Sequence, residues 1–376
     1  MYPIYLDYNA TTPIAKEIAD AMKPYLDDYF GNPSSAHEYG FKTKLAVEEA
    51  RIQVANLLNC DYEEIIFTSG GTESNNYAIK GIARANRGKG NHIITTSIEH
   101  PAVIEVCRYL EKNGFETTYL PVDEFGMIHP QDVDRAIKPE TILITIMHAN
   151  NEVGTIQAIA EISKIAKKKN ICFHTDAAQS IGKVKTDVKE LGVDLMSVAG
   201  HKLYAPKGIG ALYIRKGLEL EKLIHGADHE SNHRAGTENV LEIVGLGKAC
   251  EIAHKNLQKN QAHYLETRDY LYKLLKESIP EIRLNGHPER RLPNTLSVSF
   301  PNVEANKIIA NLKGVAASAG AACHSEGMKV SAVLEAMNVP LEYAMGTIRF
   351  STGRETSIEN IEAAAKEIIK AVQLLA

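Results

Sequence analysis

Several short apolar runs of this sequence end on residues that can do chemistry. The run Glu64-Ile65-Ile66-Phe67 gives way to Thr68-Ser69-Gly70-Gly71-Thr72. Glycines there let an anion approach the backbone, and a helix opening at that point adds unpaired N–H groups and a favourable dipole. No Gly-Lys-Ser/Thr follows, so the segment is not a P-loop. His100 stands between the run His92-Ile93-Ile94-Thr95-Thr96 and a helix opened by Pro101, where an imidazole can stack on a planar ring or move protons. Asn151 follows the run 141–147, in Asn150-Asn151-Glu152-Val153-Gly154. Asp176 follows Ile171-Cys172-Phe173-His174-Thr175, and a carboxylate there can hold a protonated ring nitrogen. Lys202 follows the next run, in Ala199-Gly200-His201-Lys202. A lysine beside a buried carboxylate and an anion site suits Schiff-base chemistry with pyridoxal 5′-phosphate (PLP). Each position also has a plain alternative: a helix cap for Thr72, His100 and Asp176, a turn for 150–154, an exposed position for Lys202. The pattern gains weight because these residues share one kind of place.

That place is set by the elements around them. Strands at 64–68, 92–96, 115–120, 141–147, 171–175, 195–198 and 210–214 alternate with helices opening at Thr72, at Pro101 and over 159–169. Strands that are apolar on both faces argue for a parallel sheet covered on both sides. In such sheets ligands sit beyond the C-terminal strand ends, so Thr72, His100, Asn151, Asp176 and Lys202 project from one rim. After Glu238 the texture changes to a long helical region over 240–278. A strand at 295–300, a small-residue loop near 318–325, a strand at 347–351 and an amphipathic helix from Ser357 complete a smaller α+β unit. The first twelve residues find no place in the larger part and join the smaller one. The expected division is a large domain, 13–255, and a small domain made of 1–12 and 256–376.

Composition narrows the class. A chain of 376 residues suits two domains, and 44% hydrophobic with 24% charged residues is ordinary for a globular protein. A net charge of −5 speaks against a general nucleic-acid binder. No apolar run is long enough to span a membrane, and the first residues lack the basic and apolar regions of a signal peptide. Five cysteines are too few for a disulfide framework and point to a reducing cytoplasm.

With these residues in view, the chain resembles the cysteine desulfurase and selenocysteine lyase family of fold-type-I PLP enzymes, the class-V aminotransferase-like group. The resemblance runs over almost the whole chain. It is carried by Asp7-Tyr8-Asn9-Ala10-Thr11-Thr12-Pro13, Gly31-Asn32-Pro33-Ser34-Ser35, Ser69-Gly70-Gly71-Thr72-Glu73-Ser74-Asn75-Asn76, Glu99-His100-Pro101, Asn150-Asn151-Glu152-Val153-Gly154, Asp176-Ala177-Ala178-Gln179, Gly200-His201-Lys202, Gly236-Thr237-Glu238-Asn239 and Arg349-Phe350-Ser351. It implies a mostly parallel sheet flanked by helices plus a smaller α+β domain. It implies that Lys202 carries PLP and moves the Cα proton, Asp176 pairs with the ring nitrogen, Gln179 bonds the ring hydroxyl and His100 stacks on the ring. Gly71, Thr72 and His201 would bind the phosphate, joined by Thr237 from a partner subunit, so a homodimer with shared sites is expected. Arg349, with Asn151 and Asn9, would hold the substrate carboxylate. Cys323, in the small-residue run 318–325, would be the thiol that swings to the substrate and takes the sulfur as a persulfide. The implied activity converts L-cysteine to L-alanine for sulfur transfer and iron–sulfur cluster assembly. The alternative is release of selenium from L-selenocysteine, and a sulfur-acceptor or scaffold protein is an implied partner.

The sequence departs from the family pattern at three places. Ala199 replaces a serine expected to bind phosphate, as in selenocysteine lyases. Ser231 replaces an expected arginine before Gly236-Thr237, with His229 and His233 as unusual neighbours. The Cys323 loop is short and reads Cys-His-Ser. His225, His229 and His233 are spaced by four, but Gly226, Ser231 and Asn232 disfavour the helix that would make them metal ligands, so no metal is expected. His229 and His233 are expected instead to border the substrate pocket.

Overall fold

The computed structural model describes residues 3–324 and 327–375, with side chains except those of 321–329. Strands are numbered in chain order: β1 Ile4–Tyr5, β2 Ile65–Thr68, β3 His92–Thr96, β4 Glu116–Leu120, β5 Thr141–Thr145, β6 Cys172–Asp176, β7 Leu195–Ala199, β8 Gly210–Ile214, β9 Arg283–Asn285, β10 Thr295–Ser299, β11 Val315–Ala316, β12 Ser318–Ala319, β13 Ala321–His324, β14 Gly327–Val330 and β15 Thr347–Ser351.

A seven-stranded sheet in the order β2-β8-β7-β6-β5-β3-β4 forms the centre. Its strands are apolar on both faces because both are covered. Ile65, Phe67, Ile94 and Ile144 enter one core, while Ile66, Ile93, Leu143 and Leu195 enter another on the opposite face. This is the period-two alternation of a strand buried on both sides. Only β8 is reversed, pairing antiparallel with both β2 and β7. An apolar strand carries no mark of its direction, so the sequence left this open.

A second, antiparallel sheet has the order β12-β15-β10-β9. It packs on a separate core that includes Val298, Phe350, Ile361 and Ile368. Leu6 belongs to this core, and β1 pairs in parallel with β11. The helix Val240–Ser278 serves both cores, with Leu246 and Cys250 in one and Leu271 and Leu275 in the other. The stretch read as a loop near 318–325 is different in the structure. Its backbone forms β12, paired with β15, and β13, paired with β14 in a hairpin whose register sets Cys323 opposite Met328. Small residues have weak strand preference alone, and pairing to an existing sheet overrides it.

Candidate active site

The rim of the large sheet, residues 9–10 and Arg349 from β15 of the small sheet line a cavity of about 280 Å³. Ten of the residues singled out from the sequence line it: Asn9, Gly71, Thr72, His100, Asn151, Asp176, Gln179, His201, Lys202 and Arg349. They come from separate elements. Gly71 and Thr72 open the helix Gly71–Ala85, whose first N–H groups have no partner within the helix. Gly70, at φ +143°, makes the turn from β2, a conformation that favours glycine. A Cβ on Gly71 would lie 3.2 Å from the Cβ of Ala199, so this cradle is already close-packed.

His100 caps the helix Pro101–Glu111: its Nδ1 accepts the Ala102 N–H at 3.1 Å. The plain reading and the chemical one therefore hold together, because the cap commits Nδ1 and leaves Nε2 as the free edge. Burial pushes the imidazole pKa down, keeping it neutral. Asp176 ends β6 with its carboxylate held by Asn75 Nδ2 at 2.6 Å and the Ala178 N–H at 2.9 Å. Lys202 sits in the single 3-10 turn after β7 and donates to the carbonyls of Asn9 and Ala10, both at 2.6 Å. Burial, with help from Arg349, pushes its amine down to about 8, although Asp7 and Asp176 oppose the shift. His201 bonds Thr11 Oγ1 through Nδ1 at 3.1 Å, and burial pushes its pKa down to about 4.

Arg349 projects from β15, donating Nη1 to the Asn151 carbonyl at 3.0 Å and Nη2 to Asp7 at 2.7 Å. Its Nε is buried with no partner, as is Oδ1 of Asn75. Asn9 joins both sheets: its carbonyl accepts from Gln179 and Lys202, and its amide bonds Asn151, Asn294 and Thr295. Asn75, Asp7 and Asn294 were not singled out. Asn75 lies three residues after Thr72, a helical spacing that places it on the same face.

Of the other expected residues, Thr237 does not line this cavity. Thr237 is exposed elsewhere on the chain. The Cys323 side chain lies outside the described residues, and only its backbone position in β13 is given. The expectation for His229 and His233 is corrected within one chain: neither lines the cavity. Their segment is drawn away because the Glu230 carboxylate takes two donors from buried Arg51, at 2.7 and 2.9 Å, and the Phe67 N–H at 2.8 Å. Left-handed φ values at Glu230 and Ser231 also break the helix that spacing by four would need.

The residues present fit PLP. The cavity offers a helix N-terminus for an anion, a carboxylate for a ring nitrogen, an imidazole beside it and a lysine with a lowered pKa. The Arg349 guanidinium at the cavity fits a carboxylate ligand.

Comparison with known proteins agrees. The aminotransferase class-V family model matches residues 4–364. The chain is 53% identical over 360 residues to the cysteine desulfurase IscS of Dictyoglomus turgidum, covering 95% of this chain and 91% of that protein. A solved NifS-like protein superposes with a TM-score of 0.93 at 38% identity, covering 99% of this chain and 100% of the other. The structure of SspA in complex with cysteine superposes at 0.83 with 39% identity, covering 92% and 98%. From motifs, cavity and relatives together, the chain belongs to the cysteine desulfurase family of class-V aminotransferase enzymes.

Proposed function

We propose that the chain removes sulfur from L-cysteine, leaving L-alanine, with PLP on Lys202 and Cys323 as the sulfur acceptor. One observation carries this: a carboxylate, an imidazole, a lysine and an arginine from four elements meet at one cavity. PLP, when bound, supplies an electron sink for charge developing at the substrate Cα. Asp176, fixed by Asn75 and Ala178, would keep the ring nitrogen protonated. The helix N-terminus at Gly71 and Thr72, with His201, would hold the phosphate. Arg349, which lines the cavity, would take the substrate carboxylate, beside Asn151 and Asn9. Lys202, with its pKa near 8, can exchange the Cα proton at moderate pH. The Cys323 thiolate attacks the substrate sulfur. The S–S bond forms as the Cβ–S bond breaks, the bonding pair goes to carbon, and protonation yields alanine.

The proposed large and small domains, 13–255 and 1–12 with 256–376, are supported by the two separate cores, with the boundary inside the long shared helix. A homodimer with Thr237 completing the partner's phosphate site is supported by the exposed Thr237 and by exposed Phe30, Tyr39, Phe41 and Leu45. A cytoplasmic setting is supported by unpaired cysteines 60, 107, 172 and 250. Among the described residues no helix is long and apolar enough to cross a membrane.

The test is alanine release by the PLP-loaded protein from L-cysteine and L-selenocysteine side by side. Alanine from cysteine, lost in Cys323→Ala, is expected. A faster rate on selenocysteine that survives Cys323→Ala would favour selenocysteine lysis, and no alanine from either would overturn the proposal.

A further inference from the structure

One buried ionisable side chain beside the cavity has no part in the reading above. Lys183 is only 5% exposed. Its Nζ donates to Gln179 Oε1 at 3.1 Å and to Asn9 Oδ1 at 3.4 Å. The charged groups that act on it, Lys202 and Arg349, are both cationic. Two carbonyl-type acceptors match the two N–H bonds of a neutral amine, and burial drives the amine toward that form.

The consequence lies in Gln179. A carboxamide can present oxygen or nitrogen to almost the same place, and its partners decide which. An N–H that Nζ gives to Oε1 holds the oxygen there, and the Asn9 carbonyl takes the nitrogen. Nε2 then points the other way, giving one N–H to the Asn9 carbonyl at 3.0 Å. The second N–H is left for a ligand in the cavity, which Gln179 lines. The Asn9 carboxamide is pinned by the same amine: its oxygen accepts from Lys183 and Asn294, and its nitrogen gives to Thr295 and Asn151.

We propose that Lys183 is a positioning residue: it locks the carboxamides of Gln179 and Asn9 so that Gln179 offers the cavity a donor and not an acceptor. This rests on the reading that the cavity takes PLP on Lys202. There, an N–H from Gln179 stabilises an ionised ring oxygen, while a turned amide would repel it. The other titratable groups around the pair are Asp7, Asp176, His100, His201, Lys202 and Arg349.

The experiment is a pH titration of the visible absorption of the PLP-loaded protein, a spectroscopic readout separate from turnover. In Lys183→Met the midpoint is expected to rise by about one pH unit, the worth of one weakened hydrogen bond to a charged group. Lys183→Gln keeps a polar side chain but brings an acceptor oxygen in place of the amine, so it should move the midpoint in the same direction. It serves should Lys183→Met fail to fold. In a Gln179→Leu background, substituting Lys183 should add no further shift. An unchanged midpoint in both Lys183 variants, or a shift that persists without Gln179, overturns the proposal. A wild-type protein that forms no visible band on Lys202 would overturn the PLP reading instead.

Discussion

The cavity rim and the segment 227–238 both hold buried polar groups, and they treat them differently. At the rim most buried side-chain polar atoms are paired within the chain. The exceptions, Arg349 Nε and Asn75 Oδ1, belong to side chains lining a cavity of about 280 Å³. The segment carries its own unpaired atoms, His229 Nδ1 and Glu238 Oε2. Glu230, Ser231 and Asn232 also run consecutively at φ +48°, +52° and +66°. Non-glycine residues avoid that region, and a run of three needs an anchor. The anchor is Glu230, clasped by Arg51 and Phe67 N–H. The rim is therefore organised around a small ligand. The segment is a strained strap, fastened at Glu230 and again where Tyr77 donates to the His233 carbonyl and Arg234 pairs with Glu73, that holds Thr237 outward.

The largest effect belongs to the rim. Lys202→Ala should lower alanine formation by roughly 10³-fold or more, since it removes both the proposed covalent tether and the proposed proton carrier. It should also abolish the visible band of covalently held PLP. Retention of that band would show that another amine holds the cofactor. The strap's anchor is next. Glu230→Gln leaves the buried Arg51 charge with only Glu48, 3.5 Å from its Nε, as countercharge, which should cost about 1–3 kcal/mol in urea unfolding. A loss within error would mean that the strap does not depend on its anchor.

The rim was legible and the strap was not, for physical reasons. Apolar runs end visibly, and alternating strands and helices send their C-terminal ends to one side. Thr72, His100, Asn151, Asp176 and Lys202 therefore meet as read. The partners that hold them were harder to see. Asn75 and Lys183 follow Thr72 and Gln179 by three and four residues, and look like ordinary polar positions until the turn is built. The helix Glu38–Leu58 was missed because Thr43 and Arg51 occupy buried positions and blur its apolar stripe. His229 and His233 were expected at the pocket from the place of their segment in the family pattern, and the Glu230 clasp that holds that segment elsewhere on the chain joins residues far apart in sequence. The hairpin around Cys323 depends on pairing between β13 and β14, which its small residues do not announce.

A smaller effect probes what the strap presents. Thr237→Val should weaken PLP binding by about five- to tenfold, the worth of one hydrogen bond. Mixing Thr237→Val subunits with Lys202→Ala subunits sharpens this. If Thr237 serves the partner's site, the mixed dimer holds one site with both native residues, and that site recovers wild-type PLP affinity. If it serves its own site, or none, mixing recovers nothing.

The smallest effect returns to the rim's support. Glu99, just before His100, is 6% exposed, and its carboxyl accepts from the Thr96 hydroxyl at 2.8 Å and the Met147 N–H at 2.9 Å. Burial, reinforced by Asp176, pushes its pKa up to about 8 against the pull of those hydrogen bonds. Between the ordinary carboxyl range near 4.5 and about 8, the folded chain then holds a proton that the unfolded chain has released. Stability contributed by this group is complete below that window and is lost as pH rises through it. Glu99→Gln carries no such proton, and a neutral amide resembles the protonated acid, so activity at pH 7 should stay within about twofold. Relative to the variant, wild-type stability in urea should fall between pH 6 and 8 by up to about 1.4 kcal/mol per pH unit, the slope for one proton. Parallel profiles would mean that Glu99 is ionised in the folded protein. The rim would then carry a second carboxylate charge near Asp176, and the electrostatic setting inferred for the ring nitrogen would have to be redrawn.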